Sequence, residues 1–408
     1  MKTLALINQK IADKTAVVMT AKTLKARIRT GKPITLQDVD VVTCGTFGVM
    51  SGTSAVLAFQ VADPGTFRNV ISMTLNGVPA YIGPCPNESN GHVDCMVYGT
   101  SRAENDPSYG GGHLFTDLTA GKSVNADIVT DNGRIHRAVS LPEMSTARLI
   151  VTRGAFKNYM GFVNRSKNEI ATIFSTFPME PQIRSASISG CGEINPLEND
   201  PALRYHVPGA TALVNGGAGL ILGCGTRSSA QKPNLSLSAD MRDMHPDLMG
   251  GFVTALGAEC LTSIGTAIPV LDEETLKALM ILDEQIPLPV ADIQNRTPFD
   301  TATYADVWQN TDQRIHVDAS LCVHDCGKCA KDLCPVDAIR PDLSINKACM
   351  GCLTCVTVCK YQVFSANTGK LHIHDADIPI GLRQSDRVRG DRAASLVRDL
   401  IRSGAWRF

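Results

Sequence analysis

Cysteine is concentrated in one short stretch of this chain, and that stretch limits what the C-terminal part can fold into. The 408-residue sequence has 14 cysteines, and eight of them fall between Cys322 and Cys359. A chain of this length folds without disulfides, so clustered cysteines indicate metal or redox chemistry in a reducing compartment. The N-terminal segment lacks the apolar core of a signal peptide, and no apolar run reaches the ~18 residues of a membrane span. We therefore expect a cytoplasmic protein with no membrane partner.

The spacing of these eight cysteines is typical of two iron–sulfur cluster motifs. The first motif is C-x3-C-x2-C-x4-C-P, and the second is C-x2-C-x2-C-x3-C. In two-cluster ferredoxins the fourth ligand of each [4Fe–4S] cluster comes from the other motif. The predicted ligands are Cys322, Cys326, Cys329 and Cys359 for cluster 1, and Cys349, Cys352, Cys355 and Cys334 for cluster 2. A pair of zinc sites is the alternative, although zinc knuckles usually pair two C-x2-C units.

Charge and glycine patterns exclude two classes of partner. Lys and Arg number 39 against 40 Asp and Glu, so the formal net charge is −1 and nothing favours nucleic acid. The sequence has no P-loop, and Gly217 and Gly219 are followed by Gly223, one residue too far for a dinucleotide fingerprint. Nucleotide binding therefore has no support.

Short β-favouring runs and helical stretches alternate irregularly before the cysteine motifs. This alternation predicts a large domain of the α/β or α+β class, and the first thirty residues predict helix, strand, helix. Residues 70–75 and 78–82 predict two strands. Asn76 and Gly77 between them favour a two-residue hairpin turn, because both tolerate positive φ.

Three further segments lead to the predicted domain organisation. Residues 248–260 predict a buried helix, and residues 273–282 predict a second helix with Asp272 as its N-cap. Residues 286–298 contain three prolines and little periodicity, which predicts a linker.

The predicted domains are a large domain at 1–300, a bacterial-type 2×[4Fe–4S] ferredoxin domain at 312–370 and a C-terminal extension at 371–408. Within the extension, residues 393–401 predict a basic amphipathic helix. We expect that helix to dock on the body of the protein, and a surface for a partner is the alternative.

Six segments of the large domain, taken in order, resemble one known family. They are DVVTCGTFG (40–48), GGGHLFTDLTAGKSV (110–124), NPLENDP (195–201), GAGLILGCGT (217–226), DMHPDLMGG (243–251) and GTAIPVLDEE (265–274). The set resembles the homocysteine-biosynthesis family, the L-aspartate semialdehyde sulfurtransferases of anaerobes. With its fused ferredoxin-like tail the chain most resembles the branch called methanogenesis marker 16 metalloprotein, so 1–300 is read as a sulfur-incorporation domain.

The resemblance implies a reductive sulfurtransferase. Its reaction joins aspartate semialdehyde, a sulfur donor and two electrons to give homocysteine, and an external low-potential donor would supply the electrons through the two clusters. Two alternatives stay open at this point. One is an iron–sulfur protein of the same fold that acts on a different substrate in methanogen coenzyme biosynthesis, and the other is an electron-transfer component of a larger redox assembly.

The sulfur-handling cysteines that the resemblance implies are replaced in this chain. Residues 49–51 are Val-Met-Ser after the GTFG element, Asn132 and Gly133 follow Thr130-Asp131, and residues 155–159 read Ala-Phe-Lys-Asn-Tyr. Another cysteine must therefore carry the sulfur, or the reaction differs in this branch.

Three cysteines outside the cluster motifs are candidates for catalysis. Cys44 enters a glycine-containing turn, and Cys191 and Cys224 each lie between two glycines, which permit close approach of a ligand. Cys44 is also consistent with a small buried side chain, and the glycines beside Cys191 and Cys224 are also consistent with simple tight turns. Cys85 and Cys95 bracket a polar loop and suggest a redox pair or a metal site. Cys260, within an apolar stretch, is expected in the core.

Three polar residues complete the predicted site. His113 follows three glycines and is a candidate acid, base or oxyanion ligand, with a structural loop histidine as the alternative. An amino-acid substrate needs a cation for its carboxylate, and arginine suits that role geometrically. Arg227 and Arg102 are the predicted substrate-binding residues.

Overall fold

The computed structural model describes residues 2–83, 88–324, 326–327 and 329–408, which form eight α-helices and 24 strands. The helices are α1 (Leu4–Ala12), α2 (Ala21–Arg29), α3 (Gly111–Thr119), α4 (Pro196–Asn199), α5 (Glu273–Ala278), α6 (Ala305–Trp308), α7 (Thr354–Val358) and α8 (Arg387–Ser403). The strands are β1 (Val18–Thr20), β2 (Val41–Val49), β3 (Thr53–Gln60), β4 (Val70–Leu75), β5 (Val78–Ile82), β6 (His92–Tyr98), β7 (Arg102–Ala103), β8 (Asp106–Gly110), β9 (Val124–Thr130), β10 (Gly133–Val139), β11 (Met144–Phe156), β12 (Gly161–Val163), β13 (Ala186–Ile188), β14 (Thr211–Val214), β15 (Gly217–Cys224), β16 (Asn234–Asp240), β17 (Gly250–Thr254), β18 (Gly257–Pro269), β19 (Pro287–Asp292), β20 (Pro298–Thr303), β21 (His316–Val317), β22 (Phe364–Ser365), β23 (Lys370–Ile373) and β24 (Ala376–Arg383).

Two sheets organise the molecule. The larger has 14 strands in the order β1-β2-β18-β14-β15-β16-β11-β3-β6-β5-β4-β9-β10, with β17 paired to β18. The smaller has six strands in the order β20-β19-β12-β13-β24-β23. The main apolar core lies against the larger sheet, where α3 contributes Leu114, Phe115 and Leu118, and a second core lies against the smaller sheet. The fold is therefore a mixed α/β architecture built on a large sheet.

Several local predictions are confirmed. The first thirty residues form α1, β1 and α2. Strands β4 and β5 pair as a hairpin, and Asn76 (φ 50°) and Gly77 (φ 79°) both take the left-handed backbone that a two-residue turn requires. Helix α5 begins after Asp272, whose side chain accepts a hydrogen bond from the backbone N–H of Thr275.

The helix predicted at 248–260 is wrong. The segment forms β17 and the start of β18, which pair antiparallel with each other. Strand β18 also pairs with β2 and β14, and all its residues after the first are buried. A continuous apolar run has no periodicity by which a buried strand could be distinguished from a buried helix. The conformation of this segment therefore depends on its sheet partners.

The linker predicted at 286–298 is also wrong, because β19 lies in it. Pro287 and Pro289 pair with β20, but β12 pairs only with the later residues 290–292. The prolines therefore precede the part of β19 that is bonded on both sides, where a missing N–H would break the ladder.

The cysteine-bearing segment follows β20 and precedes β23 in the chain, and both of these strands belong to the smaller sheet. The segment itself contains α7 and the short pair β21–β22. A ferredoxin domain at 312–370 stays a prediction. Among the described helices, none has both the length and the apolar character needed to cross a bilayer.

Helix α8 contains the predicted amphipathic segment 393–401 and packs on the larger sheet. Its residues Ala393, Ala394, Val397 and Ile401 are buried, as expected for a helix docked on the body. The contact with β2 is closest at Gly45, where a side-chain methyl group would overlap the carbonyl oxygen of Gly390. The backbones of β2 and α8 are therefore in direct contact at this crossing.

We expect Gly45→Ala to lower the free energy of unfolding by about 3 kcal/mol, because the new methyl group collides with backbone that cannot move aside. The matched control is Gly250→Ala, also in a strand, where the new Cβ would meet only the side chain of Leu261 at 3.3 Å. Urea unfolding of both variants measures the difference. Equal midpoints for the two variants would show that α8 tolerates displacement from β2.

Candidate active site

A cavity of about 420 Å³ opens where the two sheets meet. The larger sheet contributes the end of β2, the β2–β3 turn and residues near the ends of β11 and β15. The smaller sheet contributes residues that follow β13, β19 and β24. The lining residues are Val49, Met50, Ser51, Gly52, Arg153, Tyr159, Ile173, Phe174, Ser189, Arg227, Arg296 and Gln384. Cavities of this size that lie between packed layers commonly bind small molecules.

Three guanidinium groups give the cavity its charge. Arg153 stacks over the ring of Tyr159, with its Cζ 5.4 Å from the centroid, and Arg296 stacks over Phe174 at 5.1 Å. Arg227 and Arg296 have φ angles of 60° and 56°, a left-handed conformation that costs a non-glycine residue about 1–2 kcal/mol. Such strain is concentrated at functional sites. No aspartate, glutamate or cysteine is among the described lining residues.

The neutral polar groups of the cavity are held in place by hydrogen bonds. The Ser189 hydroxyl donates to Gln384 Oε1 (2.9 Å), and Gln384 Nε2 donates to the carbonyl oxygen of Ile173 (2.6 Å). Both polar atoms of the amide are therefore already engaged, and the wall at this point has a fixed orientation.

A buried carboxyl group lies next to the cavity. Glu259, on β18, is 5% exposed and is hydrogen-bonded to Ser51. Burial raises the pKa of Glu259, and the opposing effects of Ser51 and Arg102 do not cancel it. Its Oε2 atom has no hydrogen-bond partner among the described residues. A carboxyl group whose pKa is raised keeps its proton to higher pH than usual, and here the Ser51 hydroxyl connects it to the cavity.

The structure places one of the two predicted substrate-binding arginines in the cavity. Arg227 lines it, whereas Arg102 lies outside it, against Gly257 and beside Glu259. Arg153, Arg296, Ser51 and Glu259 were not predicted. For Arg153, the one available signal is a charged residue directly after a β-favouring run.

The three predicted catalytic cysteines do not meet at the cavity. Cys44 and Cys191 are fully buried, and Cys224 is exposed at the end of β15. Burial raises the pKa of Cys44 to about 12, although neighbouring Lys25 opposes the shift. Burial also raises the pKa of Cys191, whose thiol donates to the carbonyl oxygen of Phe47 (3.5 Å). A thiol that stays protonated at neutral pH is a poor nucleophile.

The remaining candidates also lie away from the cavity. His113 is in the first turn of α3, where its Nδ1 accepts the N–H of Gly110 (3.2 Å), and burial lowers its pKa. That position supports a structural role for His113 and not a catalytic one. Cys260 is buried, as predicted, and Cys95 is buried in β6. Cys85 lies outside the described residues, so the Cys85–Cys95 pair stays a prediction.

Four cysteines from both motifs line a second, narrow cavity. They are Cys334, Cys349, Cys352 and Cys355, which are the predicted ligands of cluster 2. Backbone N–H groups of Ala338 and Gly351 donate to the sulfurs of Cys334 (3.2 Å) and Cys349 (3.4 Å). Burial is the main cause that raises the pKa of Cys355, and the charges of Cys352, Cys349 and Cys334 add to it.

The predicted ligands of cluster 1 are more open to solvent. Cys326 is exposed, and Cys322, Cys329 and Cys359 are half-buried. Cys322 and Cys359 pack on the same apolar cluster as Cys334 and Cys355. Among the described residues, no three Cys, His, Asp or Glu side chains converge tightly enough to bind a single metal ion. Residues 325 and 328, within the first motif, are outside the described part of the chain.

One apolar cluster connects the two cavities. Phe47, Phe252, Leu261, Met350, Cys352 and Leu382 form it, and Val49 packs against it. Val49 lines the arginine cavity, and Met350 and Cys352 line the cysteine cavity. Arg389 of α8 adds a second connection, since it donates to the carbonyl oxygens of residues 347–349 and lies over the Phe47 ring at 5.2 Å.

A cavity lined by arginines beside a set of four cysteines is the arrangement of an enzyme, because a simple electron carrier needs no such cavity. The chain belongs to the family described as homocysteine biosynthesis enzyme, sulfur-incorporation, whose model matches residues 16–408. The matched range includes both cysteine motifs as well as the large sheet. The resemblance inferred from the six segments is therefore confirmed.

The relatives fall into two groups. An uncharacterized protein of Methanothermobacter thermautotrophicus is 42% identical over 98% of this chain and 92% of its own length, and one of Methanocaldococcus jannaschii is 37% identical over 97% and 100%. The L-aspartate semialdehyde sulfurtransferase of M. jannaschii is 29% identical over 72% of this chain and 58% of its own length. No solved structure matches this chain.

Proposed function

We propose that the chain catalyses the reductive incorporation of sulfur into a small aldehyde, with L-aspartate semialdehyde as the first substrate to test and homocysteine as its product. The observation that carries the proposal is the arginine-lined cavity in a member of a sulfur-incorporation family. Relatives named L-aspartate semialdehyde sulfurtransferase support the choice of aldehyde. An electron-transfer component alone would leave the cavity without a role.

The reaction balances in three steps. Hydrogen sulfide adds to the aldehyde, RCHO + H₂S → RCH(OH)SH. The adduct loses water to give a thioaldehyde, RCH(OH)SH → RCH=S + H₂O. Two electrons and two protons then give the thiol, RCH=S + 2e⁻ + 2H⁺ → RCH₂SH. An external low-potential donor provides the electrons.

The residues of the cavity bind the substrate and assist the loss of water. A guanidinium of Arg227 or Arg296 holds the substrate carboxylate through paired N–H groups. The hydroxyl that leaves needs a proton, and Glu259 provides it through Ser51, since burial keeps this carboxyl protonated to higher pH than usual. The stacked rings of Tyr159 and Phe174 fix the positions of Arg153 and Arg296.

The donor set of the cysteine cavity supports an iron–sulfur cluster as its ligand. Cys334, Cys349, Cys352 and Cys355 would hold cluster 2, and backbone N–H groups already point at two of the sulfurs, as ligand thiolates require. Cys322, Cys326, Cys329 and Cys359 remain the proposed ligands of cluster 1. When bound, [4Fe–4S] clusters supply electrons one at a time. Arg389 holds the loop that precedes Cys349 against β2.

Sulfur reaches the cavity as free hydrosulfide in this proposal, not as a persulfide of the enzyme. No cysteine is among the described lining residues, and residues 49–51, where the resemblance implies a sulfur-handling cysteine, line the cavity as Val-Met-Ser. The buried thiols of Cys44 and Cys191 are poor nucleophiles for the reason given above.

The experiment is anaerobic turnover of the reconstituted protein. L-aspartate semialdehyde, sulfide and titanium(III) citrate are supplied, and homocysteine is quantified by mass spectrometry. We expect homocysteine, and we expect Cys44→Ala, Cys191→Ala and Cys224→Ala each to retain activity within about threefold, because none acts as a sulfur carrier. A loss of 100-fold or more in one variant with unchanged iron content would overturn delivery as free hydrosulfide.

A further inference from the structure

A side-chain hydroxyl is hydrogen-bonded to one of the sulfurs that line the cysteine cavity. Thr354 is the first residue of α7 and is 1% exposed, and its Oγ1 lies 3.4 Å from the Sγ of Cys352. The same Oγ1 lies 3.0 Å from the Oγ1 of Thr176. The three side chains therefore form a short chain of hydrogen bonds, from Thr176 to Thr354 to Cys352.

The chemistry of the sulfur fixes the direction of both hydrogen bonds. A cysteine that binds iron is a thiolate, which has no hydrogen to donate. The Thr354 hydroxyl has one hydrogen, so it donates that hydrogen to Cys352 Sγ and accepts from the hydroxyl of Thr176. Because each bond in such a chain polarises the next, the bond from Thr176 strengthens the bond to sulfur.

The backbone around Cys352 holds the hydroxyl at the sulfur. Leu353, between Cys352 and Thr354, has a φ of 77°, a left-handed conformation that is strained for a non-glycine residue. Its side chain is fully buried in the apolar core of the smaller sheet. The carbonyl oxygen of Cys352 accepts the N–H of Arg383, in β24, at 3.0 Å. Tertiary contacts therefore fix the turn that places Thr354 beside the sulfur, and strain of this kind is concentrated at functional sites.

The chain of hydrogen bonds also connects the cysteine cavity to the wall of the arginine cavity. Ile173 and Phe174 line the arginine cavity, and Thr176 follows Phe174 by two residues. Cys352 is therefore linked to the substrate cavity through Thr176 and Thr354, in addition to the apolar cluster described above.

The hydroxyl of Thr354 differs in kind from the other donors to sulfur. The groups that donate to Cys334 and Cys349 are backbone N–H groups, which almost any residue type would supply at those positions. Thr354 donates from its side chain, so its contribution depends on the residue type and can be removed by substitution. Hydrogen bonds to the sulfurs are among the factors that set the reduction potential of an iron–sulfur cluster.

We propose that Thr354 acts through Cys352 to raise the reduction potential of cluster 2, whose ligands lie beside the arginine cavity. A donor at a ligand sulfur stabilises the negative charge that reduction adds, so the reduced state gains more than the oxidised state. One electron enters from the external low-potential donor and no proton moves, because Thr354 keeps its hydrogen. The inference rests on the proposed function for the presence of cluster 2.

The reduction potential of cluster 2 tests this role without substrate. The reconstituted full chain is titrated anaerobically with dithionite and followed by electron paramagnetic resonance, and the signal of cluster 2 is the one that Cys349→Ser removes. We expect Thr354→Val to shift the one-electron equilibrium of cluster 2 about tenfold towards the oxidised state, which lowers its potential by about 59 mV. The potential of cluster 1 should not change.

Further variants separate the hydrogen bond from packing. Thr354→Ser keeps the hydroxyl and should keep the potential, whereas the smaller Thr354→Ala lacks it and should give the same shift as valine. Thr176→Val leaves both cysteine motifs intact and should shift the potential in the same direction by less, because Thr354 loses its own donor. Thr357→Val is the matched control, since Thr357 is also on α7 but donates to the carbonyl oxygens of Leu353 and Gly381.

The outcomes separate the role of Thr354 from the proposed function. An unchanged potential in Thr354→Val and Thr354→Ala would overturn the inference, and so would an equal shift in Thr357→Val. Loss of the iron of cluster 2 from both hydroxyl-free variants would also overturn it, because Thr354 would then serve assembly. If the potentials shift as expected but the protein yields no homocysteine, the role of Thr354 stands and the proposed function fails.

Discussion

Replacing Cys349 by serine should halve the iron content of the protein, from about eight to about four atoms per chain, because it removes one ligand of one of two proposed [4Fe–4S] clusters. Turnover should fall at least 100-fold, since the proposed reduction step would lose its source of electrons. Iron is measured by chemical assay, and the remaining cluster by electron paramagnetic resonance after reduction. Cys224→Ser is the control, because Cys224 is exposed and outside both motifs.

The same experiment tests the exchange of ligands between the motifs. Cys334 belongs to the first motif in sequence but lines the cavity of Cys349, Cys352 and Cys355. Cys334→Ser should therefore leave the same residual spectrum as Cys349→Ser, that of cluster 1. Cys329→Ser should instead leave the spectrum of cluster 2. A Cys334→Ser spectrum that matches Cys329→Ser would mean that each motif closes its own cluster.

Replacing Arg387 by methionine should lower the free energy of unfolding by about 3–5 kcal/mol, because two buried carboxylates lose their shared cation. Arg387, on α8, contacts Glu193 Oε1 (2.9 Å) and Asp283 Oδ2 (2.5 Å), and all three side chains are less than 10% exposed. Arg29 completes the network through two hydrogen bonds to Glu193 (2.7 and 2.6 Å). Urea unfolding measures the loss.

The control for this prediction is on the same helix. Arg392 pairs with Asp247, but its side chain is 51% exposed, so Arg392→Met should cost less than about 1 kcal/mol. Equal losses in the two variants would contradict a special role for the buried network.

The loss caused by Arg387→Met should also depend on pH. Burial already raises the pKa of Asp283 to about 6, against the lowering effect of Arg387, and without the arginine it rises further. A carboxyl whose pKa is higher in the folded state than in the unfolded state loses stability as pH rises. The loss in free energy of unfolding caused by Arg387→Met should therefore be larger at pH 8 than at pH 5. A loss that does not change with pH would exclude the pKa of Asp283 as its cause.

Local sequence patterns were reliable where neighbouring residues decide the conformation. The Asn76-Gly77 turn, the Asp272 cap and the amphipathic face of α8 were all predicted correctly, because each depends on backbone geometry within a few residues. Patterns failed where tertiary partners decide. Residues 248–260 were predicted as a helix and residues 286–298 as a linker, but both segments contain strands, because their sheet neighbours come from distant parts of the chain.

The site shows the same division. Cysteine spacing belongs to one short stretch, so the sequence by itself determined the proposed ligand sets and, through six ordered segments, the family. The cavity is assembled from loops that follow strands of two sheets, and its arginines at 153, 227 and 296 are at least 69 residues apart in the chain. Only the tertiary structure could bring them together and bury Cys44 and Cys191 elsewhere, because burial and convergence depend on packing between sheets rather than on any local preference.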